Sequence, residues 1–288
     1  MTIRDVFQKI GANEDLNFLL TNRIPRAALT RFIGWFSQIR HPWVRDASIA
    51  VWRSFADLDL SEARKTHFDS LHDCFIRELK PAARAVDMSP DVFTSPCDGI
   101  VGAMGRVQDG QVFQAKGFPY TLKDLLGEQA SAGHWHNGWF MTIRITSSMY
   151  HRFHAPYQGK LKRVQYFSGD TWNVNPIALK RVEKLFSKNE RALLETEIGP
   201  QAYPVALVPV ATLKTMAVLD PWSLISPQLS DVNLFWAPPL ELMVSGAPAA
   251  NALLRMAFSP SIAMVPPPLL SKFTIKPAKF GVLDIPAW

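Results

Sequence analysis

Proline and glycine divide this chain into three stretches of different texture, and that division limits the possible folds more than any single motif does. Before Pro81, apolar residues recur at helical spacing. From Val92 the pattern shifts to short β-branched or aromatic runs broken by glycine, which read as strands. After Ala211 the strand-like alternation fades. Residues Lys214 to Trp288 hold 11 of the 22 prolines and nine charged residues, and glycine occurs there only at Gly246 and Gly281. The order is helices, then strands, then a proline-rich tail.

At 288 residues the chain has room for one large domain with an added segment, or for two domains. It can bury a core without disulfides. A formal charge of +6 and a pI of about 9.4 point to an anionic partner, either nucleic acid or a membrane surface rich in acidic lipid. Cys74 and Cys97 match no zinc-ligand spacing, so free thiols in a reducing compartment are expected. The N-terminus lacks the apolar core and cleavage site of a signal peptide. No apolar run reaches the ~18–20 residues of a spanning helix. Met256 to Ser271 is uncharged, but Pro260, Pro266, Pro267 and Pro268 argue against a helix there. A soluble or peripheral protein is expected.

Within Asn17–Arg45 lie Arg23, Arg26, Arg31, Arg40 and Arg45, with no Asp or Glu between Phe18 and Arg45. From Ala27 onward Leu29, Phe32, Ile33 and Phe36 recur at helical spacing. Such a basic amphipathic helix can lie in a membrane interface; the same face could equally pack on the rest of the protein. No aromatic-plus-glycine nucleotide motif accompanies the arginines, which disfavours nucleic acid. A second helix is expected over roughly Ser61 to Leu79, capped by Asp59 or Ser61 and stopped by Pro81. Strands are expected at Gly99–Gly105, Val112–Ala115, Trp139–Ile145, Val164–Phe167, Ala192–Thr196 and Val205–Ala211. Turns fall at Gln108–Gly110 and Ser168–Asp170. Leu122–Leu126, between Thr121 and Gly127, and Ala178–Leu185 read as short helices.

Chemistry concentrates just after the Trp139–Ile145 run, in Tyr150-His151-Arg152-Phe153-His154-Ala155-Pro156, with Arg144 and Tyr157 close by. Histidine is the side chain best suited to move protons near neutral pH. Two of them beside a cation suit a charged, oxygen-rich substrate, although one packed and one solvated histidine would give the same spacing. Ser95-Pro96-Cys97-Asp98-Gly99 sets an acid in a turn ahead of a strand, where Asp-Gly commonly bonds its own backbone. A competing metal reading would place His134 and His136 on one face of a strand, joined by His151 and His154. No Asp or Glu from Gln129 through Lys160 completes a mixed site, so no metal is assigned.

Tyr-His-Arg-x-His-x-Pro resembles the histidine motif of the phosphatidylserine decarboxylases, the pyruvoyl-dependent enzymes of bacterial membranes. Ser95–Gly99 is similar to their Ser-Pro-x-Asp-Gly motif, and Cys74–Pro81 to their Phe-x-Arg-x-Leu-Lys-Pro segment. Lys116–Gly127, Phe167–Pro176 and Asn189–Arg191 resemble family segments too, so the agreement runs from about Asn17 to Ala211. The resemblance implies a zymogen that cuts itself before a serine, converting that serine to a pyruvoyl group. That group then serves the decarboxylation of phosphatidylserine to phosphatidylethanolamine. By the family pattern Asp98 and His154 serve maturation and His151 the decarboxylation step. It also implies a peripheral protein at the cytoplasmic face of a bacterial membrane, held on anionic phospholipid by Asn17–Arg45. A homodimer is compatible with it, and nucleic acid is not a partner.

The resemblance breaks at the cleavage motif. The family's serine follows a glycine, and no glycine in this sequence is followed by serine. A shifted reading frame near Thr212, a decayed gene copy, or a serine in another context such as Val244-Ser245-Gly246 would each account for this. The frameshift fits the abrupt loss of the match best. A non-catalytic membrane-binding relic is the alternative function. The expected fold is α+β: N-terminal helices, then a mainly antiparallel β catalytic domain. The expected organisation is a membrane-associating segment over 1–80, a catalytic domain over 81–213, and an atypical tail over 214–288, frameshifted or poorly folded.

Overall fold

Helical spacing before Pro81 and strand runs after Val92 both become structure in the computed structural model, which describes residues 13–81, 83–84, 92–112, 118–128, 135–136, 138–152, 154–200, 202–211, 232–234, 261–265 and 274–276. Three helices come first: α1 (Glu14–Asn22), α2 (Arg26–Ser37) and α3 (Pro42–Phe55). Asn13 caps α1 by accepting the Leu16 N–H at 2.9 Å. Pro42 opens α3, where a missing N–H costs no helical bond.

The helix expected over Ser61–Leu79 shrinks to α4 (Leu71–Phe75), capped by Ser70. The cause is extended pairing upstream and downstream of it. Arg64 N–H donates to the Glu78 carbonyl and Lys80 N–H to the Glu62 carbonyl, both at 2.8 Å, which holds the two ends side by side as an antiparallel bridge. Asp59 does accept the Ser61 N–H, but to make a turn and not a cap. Trp52, Leu58, Phe68, Phe75 and Ile76 form a small core that binds α3 to this segment.

The remaining helices are α5 (Leu122–Leu126), α6 (Pro176–Arg181) and α7 (Leu185–Lys188). Thr121 and Asp124 complete a reciprocal capping box at α5, and Gly127, at φ +81°, ends it. The helix expected over Ala178–Leu185 is two: Asn175 and Pro176 start α6 early, and Lys184, at φ +50°, breaks the run before α7.

The strands are β1 (Val92–Thr94), β2 (Ile100–Arg106), β3 (Gln111–Val112), β4 (Tyr120–Thr121), β5 (Trp139–Arg144), β6 (Gly159–Phe167), β7 (Arg191–Ile198), β8 (Tyr203–Pro209), β9 (Val232–Leu234), β10 (Ser261–Val265) and β11 (Thr274–Lys276). A seven-stranded sheet runs in the order β2-β5-β10-β8-β7-β6-β9, with every neighbour antiparallel. The fold is α+β, as expected. The Asp109–Gly110 turn joins β2 to β3 with both residues at positive φ, the geometry a two-residue hairpin favours. The Val112–Ala115 strand is seen only to Val112; Phe113 to Ala115 lie outside the described residues, as do His134 and Ser245. From the tail, β11 pairs in parallel with β1, and β10 stands between β5 and β8.

Alternation along β5 sends side chains to two cores. Phe140 joins Val112, Tyr120, Leu125, Trp135 and Phe186 on one face. Met141 and Ile143 pack with Cys97 and Ile145 on the other.

Candidate active site

Two loops meet at one end of the sheet. Ile100 of β2 pairs with Arg144 of β5, so the residues before β2 and those after β5 leave the sheet together. Gly99 permits the approach: a Cβ there would lie 2.4 Å from Ile143 Cγ2 and 3.0 Å from the Arg144 carbonyl oxygen. Beyond the sheet the loops stay joined. Thr94 donates its N–H and its hydroxyl to the Pro156 carbonyl at 3.0 and 2.9 Å, and His154 N–H donates to the Pro96 carbonyl at 2.6 Å. The structure thus brings the Asp98 turn and the two-histidine loop to one place.

Asp98 is buried, and both its oxygens are held by a residue that sequence reasoning missed. Arg84 donates from Nε to Oδ1 at 2.9 Å and from Nη2 to Oδ2 at 2.6 Å, while its Nη1 reaches Glu62 Oε2 at 2.7 Å. Burial opposes the charge on Arg84, but the bonds from Asp98 and Glu62 outweigh it and raise its pKa. Arg84 sits between Pro81 and Val92, where no periodicity or motif marked it.

His154 lies with Nε2 3.1 Å from the Tyr150 hydroxyl, its ring stacked on Tyr150 at 5.6 Å. Burial, aided by the positive charge of Arg152, lowers its pKa to about 4; Asp98 pulls the other way, and Arg84 adds to the lowering. At neutral pH His154 is therefore an uncharged imidazole, able to accept a proton. Tyr150 keeps its proton, since burial pushes its hydroxyl up to about 12.

His151 is buried and packs on Phe75, ring centroids 4.0 Å apart. Its Nδ1 is 2.9 Å from the Met149 carbonyl oxygen. Because a carbonyl only accepts, Nδ1 carries the hydrogen, which in the neutral ring leaves the lone pair on Nε2. The Cys74–Pro81 segment forms the wall behind this loop: Arg77 donates to the Ser148 and Met149 carbonyls, and Arg152 donates back to the Ile76 carbonyl and to Glu78. The thiol of Cys74 is pushed up to about 11 by burial and is a packing group, not a nucleophile. Of the residues in the metal reading, His136 lies against the Gly110 turn. Among the described residues no group of three or more His, Cys, Asp or Glu could hold a metal ion.

A second surface is built by the first two helices, which are inside-out. The buried residue of α1 is Asn22, and those of α2 are Thr30 and Ser37. Asn22 Oδ1 accepts the Asn173 N–H at 2.9 Å, the Thr30 hydroxyl meets that of Thr171 at 3.3 Å, and Asn175 donates to Asn17. Arg26 lies 3.8 Å over the Trp172 ring and pairs with Asp170. Phe18 stacks on Trp172, but other large apolar residues point outward: Leu19 is 55%, Phe32 54%, Trp35 64% and, on α3, Trp43 83% exposed. No helix among the described residues is long and apolar enough to cross a membrane.

The phosphatidylserine decarboxylase family model matches residues 71–217, about half of the chain. A phosphatidylserine decarboxylase proenzyme of Saccharophagus degradans is 33% identical over 210 residues, covering 70% of this chain and 73% of the relative. One of Shewanella amazonensis is 33% identical over 225 residues, covering 76% and 77%. One of Klebsiella pneumoniae is 34% identical over 194 residues, covering 65% and 61%.

Proposed function

The chain belongs to the phosphatidylserine decarboxylase family, and on that premise we propose that its site serves the decarboxylation of phosphatidylserine to phosphatidylethanolamine and CO₂, with the protein peripheral on the cytoplasmic face of a bacterial membrane. The observation that carries the reading is the junction of the Asp98 turn with the His151–His154 loop at one end of the sheet. In that site His154, uncharged at neutral pH, takes a proton from the group that matures the enzyme. Asp98 acts on His154 through space, favouring the protonated imidazole formed in that step. His151, whose Nε2 lone pair can first take up a proton, is the group that then delivers the proton replacing the lost carboxylate.

The family's pyruvoyl group supplies an electron sink for the bond to the departing CO₂. The acid–base residues here fit that chemistry; the precursor does not. No glycine precedes a serine anywhere in the chain, and the tail strand beside β5 opens with Ser261 behind Pro260. No step is therefore drawn through a pyruvoyl group. That mismatch favours a second reading, a membrane-binding relic that keeps the site without its cofactor. In either case the division is a membrane-associating segment over 1–80, a catalytic domain over 81–213 and an atypical tail over 214–288.

Membrane association rests on the inside-out helices. Their polar faces are occupied by the 170–175 loop and their apolar faces are exposed beside Arg23, Arg31 and Arg40. Packing elsewhere in the protein would have buried the opposite faces.

The intact mass of the purified chain under denaturing conditions separates the two readings. Two fragments, the smaller gaining mass with borohydride, are expected of a pyruvoyl enzyme. A single species of 32.3 kDa means that no cofactor forms and leaves the relic.

A further inference from the structure

Arg77 is 5% exposed, yet the carbonyl oxygens of Ser148 and Met149 take its Nη2 at 3.0 and 3.2 Å, and among the described residues no carboxylate pairs with it. Its other described bond, from Nη1 to the Cys74 carbonyl, is long at 3.5 Å, and its buried Nε has no partner among the described residues. Burying a guanidinium for neutral acceptors is a costly way to tie down a loop. An amide would bond the same carbonyls without a charge to desolvate.

What the guanidinium adds is geometry at one atom. The Met149 carbonyl receives two donors, Arg77 Nη2 at 3.2 Å and His151 Nδ1 at 2.9 Å, which is the full capacity of its two lone pairs. Bridging two consecutive carbonyls fixes the Ser148–Met149 and Met149–Tyr150 peptide planes relative to each other, and so the direction in which the Met149 carbonyl meets the imidazole. The ring is held from its face by Phe75, two residues before Arg77. Arg152, next to His151, returns the contact through the Ile76 carbonyl at 2.9 Å and Glu78 at 3.2 Å. The two arginines cross between the same two segments, one reaching each way.

We propose that Arg77 is a positioning residue that locks His151 as its Nδ1–H tautomer, keeping the Nε2 lone pair for proton transfer. This rests on the role given to His151 above, but the lock is a property of the fold that can be read without turnover. A compact ammonium cannot span two carbonyls as the planar fork does, so lysine is not an adequate replacement.

The test is long-range ¹⁵N–¹H correlation spectroscopy of histidine-labelled full-length protein near neutral pH, with the His151 signals identified by their loss in His151→Gln. The native chain is expected to show the Nδ1–H form. In R77A the ratio of Nδ1–H to Nε2–H should fall roughly tenfold, the worth of about one hydrogen bond. Added guanidinium ion, but not equal sodium chloride, should restore it. If R77A does not fold, R77K decides, with a similar fall expected. A folded R77A or R77K that keeps the native tautomer ratio overturns the proposal, whether or not the chain proves to be an active decarboxylase.

Discussion

Two regions of this molecule invert the ordinary placement of side chains, in opposite senses. At the end of the sheet charge goes inside: Asp98 and Arg77 are buried among carbonyls and counter-ions, beside the buried ring of His151. On α1–α3 apolar surface goes outside: Leu19, Phe32, Trp35 and Trp43 face solvent while Asn22, Thr30 and Ser37 are covered. A buried charge is retained at a cost in desolvation, and an exposed aromatic cluster at a cost in solubility. Neither placement improves folding, so both support the proposed roles: proton transfer in one place, contact with a lipid surface in the other. The difference lies in how each region should respond to mutation. The buried charges are coupled to the fold; the exposed rings are not.

The sharpest way to break that contrast is Asp98→Ala. It leaves the half-buried Arg84 with Glu62 as its other described carboxylate partner. Removing one partner of a buried pair costs about 3–5 kcal/mol, and Glu62 should keep the loss near the lower figure. Urea unfolding measures it, and a loss below about 1 kcal/mol, the range of exposed pairs, would place Asp98 with surface ion pairs instead.

Acid should act on the same region through His154. Its folded pKa of about 4 lies below the ordinary 6.5, so the unfolded chain binds the extra proton between those values. Stability is then fully present above pH 6.5 and drains away as pH falls toward 4, by about 2 kcal/mol at pH 5 and about 3 at pH 4. His154→Gln removes the titrating group, and its unfolding free energy should lose that share of the slope. A mutant slope equal to the native one would mean that His154 titrates normally and is not buried as a neutral ring.

How much of this could be read from sequence follows from how local each determinant is. The Thr121 cap, the Gly127 stop and the Asp109–Gly110 turn are chemistry within a few residues, and they stand where the residue types put them. The two loops of the candidate site were legible as motifs, and their meeting follows from the pairing of β2 with β5. Arg84 was not legible, because its partners Asp98 and Glu62 lie 14 and 22 residues away with no pattern linking them. The overlong Ser61–Leu79 helix failed for a similar reason: pairing of 62–64 with 78–80 overrode helical spacing. Periodicity on α2 located an apolar stripe but could not say which stripe is inside. That was settled by Asn173 and Thr171, about 150 and 140 residues along the chain from their partners Asn22 and Thr30.

The smallest stability effect belongs to the other half of the comparison, and it is the more discriminating for being small. Trp35→Ser with Trp43→Ser removes two rings that are 64% and 83% exposed. Surface changes away from packed features usually alter stability within ±0.5 kcal/mol, so the double variant should unfold at nearly the native urea concentration. Its partition onto anionic vesicles should instead fall by about tenfold for each ring, since burying a large apolar side chain is worth about 1.5–3 kcal/mol. Reversing charge at Arg31 and Arg40 with Glu should weaken the same partition mainly at low salt, because exposed charges are screened over about a Debye length. The tryptophan effect should persist at high salt, because dehydration of a ring is not screened. Native-like vesicle binding by the tryptophan variant would leave the rings without a lipid role. A large loss of stability would show that they pack against protein after all, and the two regions would no longer be opposites.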